Sequence, residues 1–228
     1  MLQDDSVVFS FYGPMGVRVD VGQSIVFLLG ILVFLSGGAV IDSLIFATVL
    51  LASILLHELG HAWGCKVQGI PVRRIMLHGG GGFCERTRSA TPYEEELIVA
   101  MGPIVNLAIW AIASLVQWWM WQDFNAGPPS DFMIEVSYIL WTVIWLNMAL
   151  VIFNMIPVQP LDGGKLFHLF LLRFLPQMAA QKLAGGIGLL LSIAWIPAAV
   201  YAYLTFGWIL FFMPSIPAHY RMLRGQLA

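Results

Sequence analysis

Hydrophobic residues come in long, nearly uninterrupted runs that set the plan of the chain. Residues 7–19 (VVFSFYGPMGVRV) alternate briefly and read as a hairpin, with Gly13-Pro14 and Gly16 supplying the turn. Apolar spans are expected at about 21–40 and 44–65, interrupted at Asp42 and Ser43. A polar stretch, 66–96, separates them from a third span at 97–121, and within it IPVRRIML reads as a strand running into His78-Gly79-Gly80-Gly81-Gly82. Thr91, Pro92 and Glu94 form a capping box ahead of that third span. After a turn at 122–131 comes a fourth span, 132–156, then the polar break PVQPLDGG and an amphipathic helix over Lys165–Phe174. From Leu183 to Ala218 no residue is charged, a length that reads as two short spans, 183–198 and 203–218, turning near Pro197–Thr205.

Composition makes the bilayer the solvent. Of 228 residues, 59% are hydrophobic and 11% charged, against about 25% charged in soluble domains. A soluble chain this short has too little interior for that much apolar surface. The six-span reading puts all eleven basic residues on one side, from Arg18 to Arg224, while the opposite loops carry Asp42, Asp123 and Asp131. The positive-inside rule then makes that side cytoplasmic, with both termini there, in an arrangement that fits a bacterial cytoplasmic membrane. The expected fold class is an all-α integral membrane protein with six transmembrane helices and a small cytoplasmic or re-entrant β region at 66–96. The whole chain, 1–228, reads as a single domain. A net charge of −2 and the lack of a basic arm exclude nucleic acid as a partner. Cys65 and Cys84 read as packing residues on a reducing side, residues 1–20 show no cleavable signal peptide, and the nine tryptophans fit an interfacial belt.

One motif carries chemistry. His57-Glu58-Leu59-Gly60-His61 places two imidazoles at i and i+4 on one helix face, where both reach a single zinc ion. Glu58 sits beside that face and can act as general base on a water activated by the metal. Random order would give this motif in about 0.3% of chains of this composition. Charged and imidazole groups in mid-span are costly in hydrocarbon, which favours a functional site over a structural polar cluster. His57 precedes Lys66 by nine residues, about 13 Å of helix, which sets the metal in the cytoplasmic half of the membrane. A catalytic zinc takes three protein ligands. By spacing, Asp162, His78, Glu85 and His168 all remain candidates for the third, and Asp162 also reads as an N-cap for a helix starting at Gly163.

The same HExxH pentapeptide, followed by Asn154-Met155-Ile156-Pro157 and Leu161-Asp162-Gly163-Gly164, resembles the site-2 protease family of intramembrane zinc metalloproteases. Gly102-Pro103 with Asn106 on the third span looks like that family's pattern too. The resemblance covers roughly residues 44–165 and fits the compact branch that lacks PDZ and CBS domains. It implies one zinc per chain held by His57, His61 and Asp162, Glu58 as general base, and Asn154 near the substrate oxyanion. It also implies cleavage within the transmembrane segment of a single-span substrate bearing a cytoplasmic regulatory domain. Such a substrate must unwind, and the freed backbone needs partners. The strand at Arg73–Leu77 and the run Gly79, Gly80, Gly81, Gly82 are expected to offer an edge for strand addition. His78, His168 and His219 read as structural or solvated. The competing expectations are a membrane zinc peptidase acting on interfacial peptides and a zinc transporter or zinc-binding scaffold.

Overall fold

The elements follow in the order β1 (Val7–Tyr12), β2 (Arg18–Gly22), α1 (Gln23–Leu35), α2 (Val40–Val67), β3 (Val72–His78), β4 (Gly81–Arg86), α3 (Pro92–Met120), α4 (Asp131–Asn154), α5 (Asp162–Leu172), α6 (Gln177–Phe206) and α7 (Ile216–Leu223). This computed structural model describes residues 5–122, 129–206 and 212–226. Among the described residues, four helices are long and apolar enough to cross a membrane: α2, α3, α4 and Gln177–Thr205 of α6. The chain is therefore an integral membrane protein built mainly of helices, with one small sheet. It divides into two units, residues 1–151 and 152–228.

In the first unit the four strands stand in sequence order, β1-β2-β3-β4. β1 and β2 pair antiparallel, as the hairpin reading expects, and so do β3 and β4; β2 and β3 run parallel. Val19 lies opposite Ile75 and Val21 opposite Leu77. All four are buried in one cluster with Ile25 of α1 and Leu59 and Ala62 of α2. The other face is polar. Asp20 is 1% exposed and accepts from Ser10, Arg18 and Arg74, while Glu85 accepts from Arg73 and Arg74. The Arg74 guanidinium holds the Glu85 carboxyl below the usual glutamate range. Arg73 and Arg74 thus help hold the sheet together, while Arg86 and Arg88 pair with Glu95 and Glu94 of α3.

The structure moves several expected boundaries. The first apolar run breaks at Ser36–Ala39 and not at Asp42, because Gly37 and Gly38 take positive φ angles (61° and 107°) that stop α1. Asp42 and Ser43 then fall in the first turn of α2, where a carboxylate suits the helix N-terminus. With 13 residues, α1 is about 20 Å long, short of a hydrocarbon core of ~30 Å. The capping box forms as expected: Glu94 N–H donates to Thr91 Oγ1 (3.3 Å) and Thr91 N–H to Glu94 Oε2 (2.8 Å). The expected turn near Pro197–Thr205 is absent, since α6 runs through Pro197 as one helix. A proline removes a single hydrogen bond, and apolar helices in lipid tolerate it where neighbours compensate. Residues 207–211 of the expected sixth span, and most of the expected turn at 122–131, lie outside the described residues.

Glycines set the closest packing in the first unit. A Cβ on Gly60 would stand 2.6 Å from the Met101 carbonyl oxygen, and one on Gly64 would stand 2.9 Å from Ile98 Cα. Small residues four apart therefore let α2 and α3 approach backbone to backbone, as is common in membranes. In the second unit Leu171, Ala180, Ala184 and Met222 join α5, α6 and α7. His219, 1% exposed, accepts from the backbone N–H of Gln159 at 2.8 Å. Burial pushes its imidazole down, consistent with the neutral form that this acceptor role requires.

A paired substitution checks the α2–α3 contact. Gly60→Ala should destabilise the protein by about 1–3 kcal/mol through overpacking. Gly30→Ala, where an added Cβ meets nothing within 4 Å beyond its own helix backbone, should be neutral or stabilise by up to about 1 kcal/mol. Thermal unfolding in detergent measures both, and equal melting temperatures for the two variants would contradict the close approach.

Candidate metal centre

Helix α2 carries His57, Glu58 and His61 in its second half, all buried (6%, 5% and 8% exposed). The i, i+4 spacing brings the two imidazole Nε2 atoms within 3.1 Å, with the rings edge to face. The other ring nitrogens fix what those atoms are. His57 Nδ1 lies 2.5 Å from Asn106 Oδ1, and His61 Nδ1 lies 2.8 Å from the Ile98 carbonyl oxygen. Both partners only accept, so each Nδ1 carries the proton and donates. In the neutral rings each Nε2 is then a lone pair, and the two lone pairs face each other. A cation between them removes that repulsion, and a tetrahedral zinc holds two nitrogens about 3.3 Å apart. The donor set fits zinc.

Helix α3 leaves the space. A Cβ on Gly102 would sit 2.5 Å from His61 Cε1 and Nε2 and 2.6 Å from His57 Nε2. No larger residue fits there with both imidazoles in place. Glu58 is held on its other flank by the sheet, where a Cβ on Gly82 would stand 2.7 Å from Glu58 Cγ and 3.1 Å from its Cδ and Oε1.

In the second unit Asp162 is buried (6% exposed) and opens α5. It is the first helical residue, with Leu161 as the N-cap, so the reading of Asp162 as N-cap does not hold. The glycines after it have a packing reason. A Cβ on Gly163 would collide with the Met155 carbonyl group, and one on Gly164 would stand 2.6 Å from the Val158 carbonyl group. The start of α5 thereby nests against the turn that follows α4. The imidazoles of His57 and His61 thus belong to the first unit and the Asp162 carboxyl to the second.

Glu85 and His78, which spacing left open as third ligands, have other partners. Glu85 is paired with Arg73 and Arg74. His78 is buried and accepts from the Gly80 N–H at 3.1 Å. Asn154 is the last residue of α4 and half-buried. The glycine run is split. Gly79 donates to Ser24 Oγ (2.7 Å) and turns the chain with Gly80, while Gly81 and Gly82 begin β4 opposite His78 and Leu77. The segment Arg73–Leu77 is not an edge, because β3 pairs with β2 on one side and β4 on the other; β4 is the terminal strand. Sequence reasoning missed Ser53 and Asn147, which continue the hydrogen bonds of Asn106 away from His57. The available signal was a buried-type amide in the middle of the apolar run 132–156.

Gly102→Ala tests the cradle. Alanine favours a helix over glycine, so folding should survive, yet the added methyl displaces both Nε2 atoms. Zinc content after purification should fall at least about tenfold, judging from the sensitivity of metal sites to small displacements. Wild-type zinc content in the variant would refute the geometry.

Comparisons with known proteins show the family of the chain. The model of peptidase family M50 matches residues 45–127 and 130–195. A zinc metalloprotease of Methanocaldococcus jannaschii is 30% identical over 184 residues, 78% of this chain and 50% of that protein. A putative zinc metalloprotease of Synechocystis is 35% identical over 132 residues, 57% of this chain and 32% of that protein. Stage IV sporulation protein FB of Bacillus subtilis is 27% identical over 136 residues, 59% of this chain and 43% of that protein. The chain thus spans half or less of the length of these relatives. The solved site-2 protease from Methanocaldococcus jannaschii shares the fold, with a TM-score of 0.61 at 22% identity over 96% of this chain and 93% of that one. With a family match over most of its length and the motif residues inside the matched segments, this chain belongs to peptidase family M50.

Proposed function

We propose that the protein is an intramembrane zinc endopeptidase that cuts a peptide bond in the transmembrane segment of a single-span substrate. The observation that carries this reading is the close approach of two imidazole Nε2 atoms, 3.1 Å apart and buried on a helix apolar enough to cross a membrane, with Glu58 beside them. His57, His61 and Asp162 would hold one zinc, and Asp162 supplies the negative charge that two neutral imidazoles lack. When bound, zinc supplies a Lewis acid that polarises the scissile carbonyl and lowers the pKa of a water. Glu58 accepts the proton of the attacking water and returns it to the departing amine nitrogen. Asn154, at the end of α4, is assigned to the carbonyl oxygen of the scissile bond as negative charge develops there.

Strand addition to β4 answers the cost of unwinding a substrate helix in lipid. Its outer edge pairs with no strand among the described residues, and Gly82 at its start lies against Glu58. A strand laid along that edge passes the general base. With the basic residues on the cytoplasmic side, both termini are cytoplasmic and the cut falls in the cytoplasmic half of the substrate helix, which would release a cytoplasmic regulatory domain.

The test is co-expression with single-span membrane proteins, followed by mass spectrometry of the products. Glu58→Gln should lower cleavage at least about 100-fold, within the range attributed to general acid–base catalysis, while keeping about one zinc per chain. Loss of zinc with activity would make Glu58 a ligand instead. Asp162→Asn should lose zinc, whereas Glu85→Gln should keep it. Cuts confined to soluble loops, with substrate helices intact, would count against the intramembrane reading.

A further inference from the structure

We infer that Asn147 of α4 is a positioning residue for the metal-binding imidazole of His57, acting through Asn106. The inference rests on the reading of His57 and His61 as metal ligands and assigns a role to a residue that touches neither.

Asn106 and Asn147 are both fully buried, at 0% exposure. Asn147 Nδ2 donates to the Val143 carbonyl oxygen (2.9 Å) and to Ser53 Oγ (3.0 Å). A backbone carbonyl only accepts, so the amide of Asn147 cannot turn over without setting oxygen against oxygen. Its Oδ1 is thereby aimed at Asn106 and accepts from Asn106 Nδ2 at 2.8 Å. The second proton of that Nδ2 goes to the Ser53 carbonyl oxygen, a longer contact of 3.3 Å. With both donors engaged, Asn106 must present Oδ1 to His57, where it accepts from Nδ1 at 2.5 Å. The chain starts at a backbone carbonyl of α4 and ends by choosing which nitrogen of His57 keeps its proton.

Two points make Asn147 more than filler. Without it, the orientation of Asn106 rests on the 3.3 Å contact alone, at the outer limit for a hydrogen bond. One N–H of Asn106, a residue with no exposed surface, would also be left unpaired, which is costly for a buried group. An Asn106 amide freed to rotate can present Nδ2 to His57, which favours the tautomer with its lone pair on Nδ1 and its proton on the metal-facing Nε2. Metal binding must then first reverse that tautomer. Partners that orient a ligating imidazole typically alter metal affinity by roughly 10- to 100-fold.

The experiment is a zinc competition titration against a chromophoric chelator, on the full-length protein in detergent. Asn106→Leu is expected to weaken zinc about 10- to 100-fold and Asn147→Leu about tenfold. The double variant should bind no more weakly than Asn106→Leu within about twofold, because both substitutions break one chain. Ser137→Ala, also buried on α4, should stay within about twofold of wild type, as expected of a site outside that chain. Should Asn147→Leu fail to fold, Asn147→Ala takes its place with no added bulk. Nitrogen-15 spectra of the zinc-free protein give a readout that general loosening would not produce. His57 should show a protonated Nδ1 in wild type and a mixture of tautomers in the Asn147 variant. Wild-type zinc affinity in the Asn147 variant, or losses that multiply in the double variant, would overturn the inference while leaving the metal reading intact. Failure of the wild-type chain to bind zinc would overturn both.

Discussion

Two imidazoles and a carboxylate sit on a helix whose other residues suit hydrocarbon, and lipid offers none of them a hydrogen-bond partner. Each polar atom brought there must be satisfied by the protein, at a cost of several kcal/mol where it is not. The first unit meets that demand in three ways. Asn106 and the Ile98 carbonyl accept from the two Nδ1 protons. Asn147 and Ser53 satisfy the amide of Asn106 in turn. Gly60 and Gly64 bring α2 and α3 close enough for α3 to supply those acceptors. The close helix approach and the polar chemistry are one arrangement, since the bonds to His57 and His61 both cross the α2–α3 contact.

The sheet extends this logic to the water side. Its apolar face packs on α1 and α2 through Val19, Val21, Ile75 and Leu77, while its polar face ties Ser10, Arg18, Asp20, Arg74 and Glu85 together. That division fixes the register and sets the start of β4 beside Glu58. A glycine is needed there because a side chain at position 82 would occupy the volume of Glu58. The proposed strand addition at β4 thus draws on a surface held rigid by ion pairs. Mobile loops would have to be ordered by the substrate at an entropic cost.

A similar constraint shapes the LDGG segment in the second unit. Gly163 and Gly164 let the start of α5 settle on the carbonyl groups of Met155 and Val158, and His219 with Ser215 holds the backbone of Gln159. Asp162 is consequently carried by a well-anchored turn.

Much of the chemistry was legible without coordinates. HExxH states its own geometry, because the helical repeat places positions 57 and 61 on one face whatever surrounds them. Hydrophobic runs revealed the long helices, and Thr91, Pro92 and Glu94 announced the start of α3 through purely local bonds. Helix ends decided by backbone conformation were harder to read: Gly37-Gly38, and not Asp42, ends the first run, and Pro197 fails to end α6. Strand order also stayed hidden. That β3 is interior and β4 terminal follows from the parallel pairing of β2 with β3, whose partners are separated by some fifty residues of chain. Asn147 was equally invisible as a partner of the site, since nothing in an apolar run shows which way an amide points. The sequence by itself determined that His57 and His61 share one helix face, because local spacing suffices for that. Only the tertiary structure decided which nitrogen each imidazole offers and which strand lies beside Glu58, because those depend on groups from different helices and strands meeting in space.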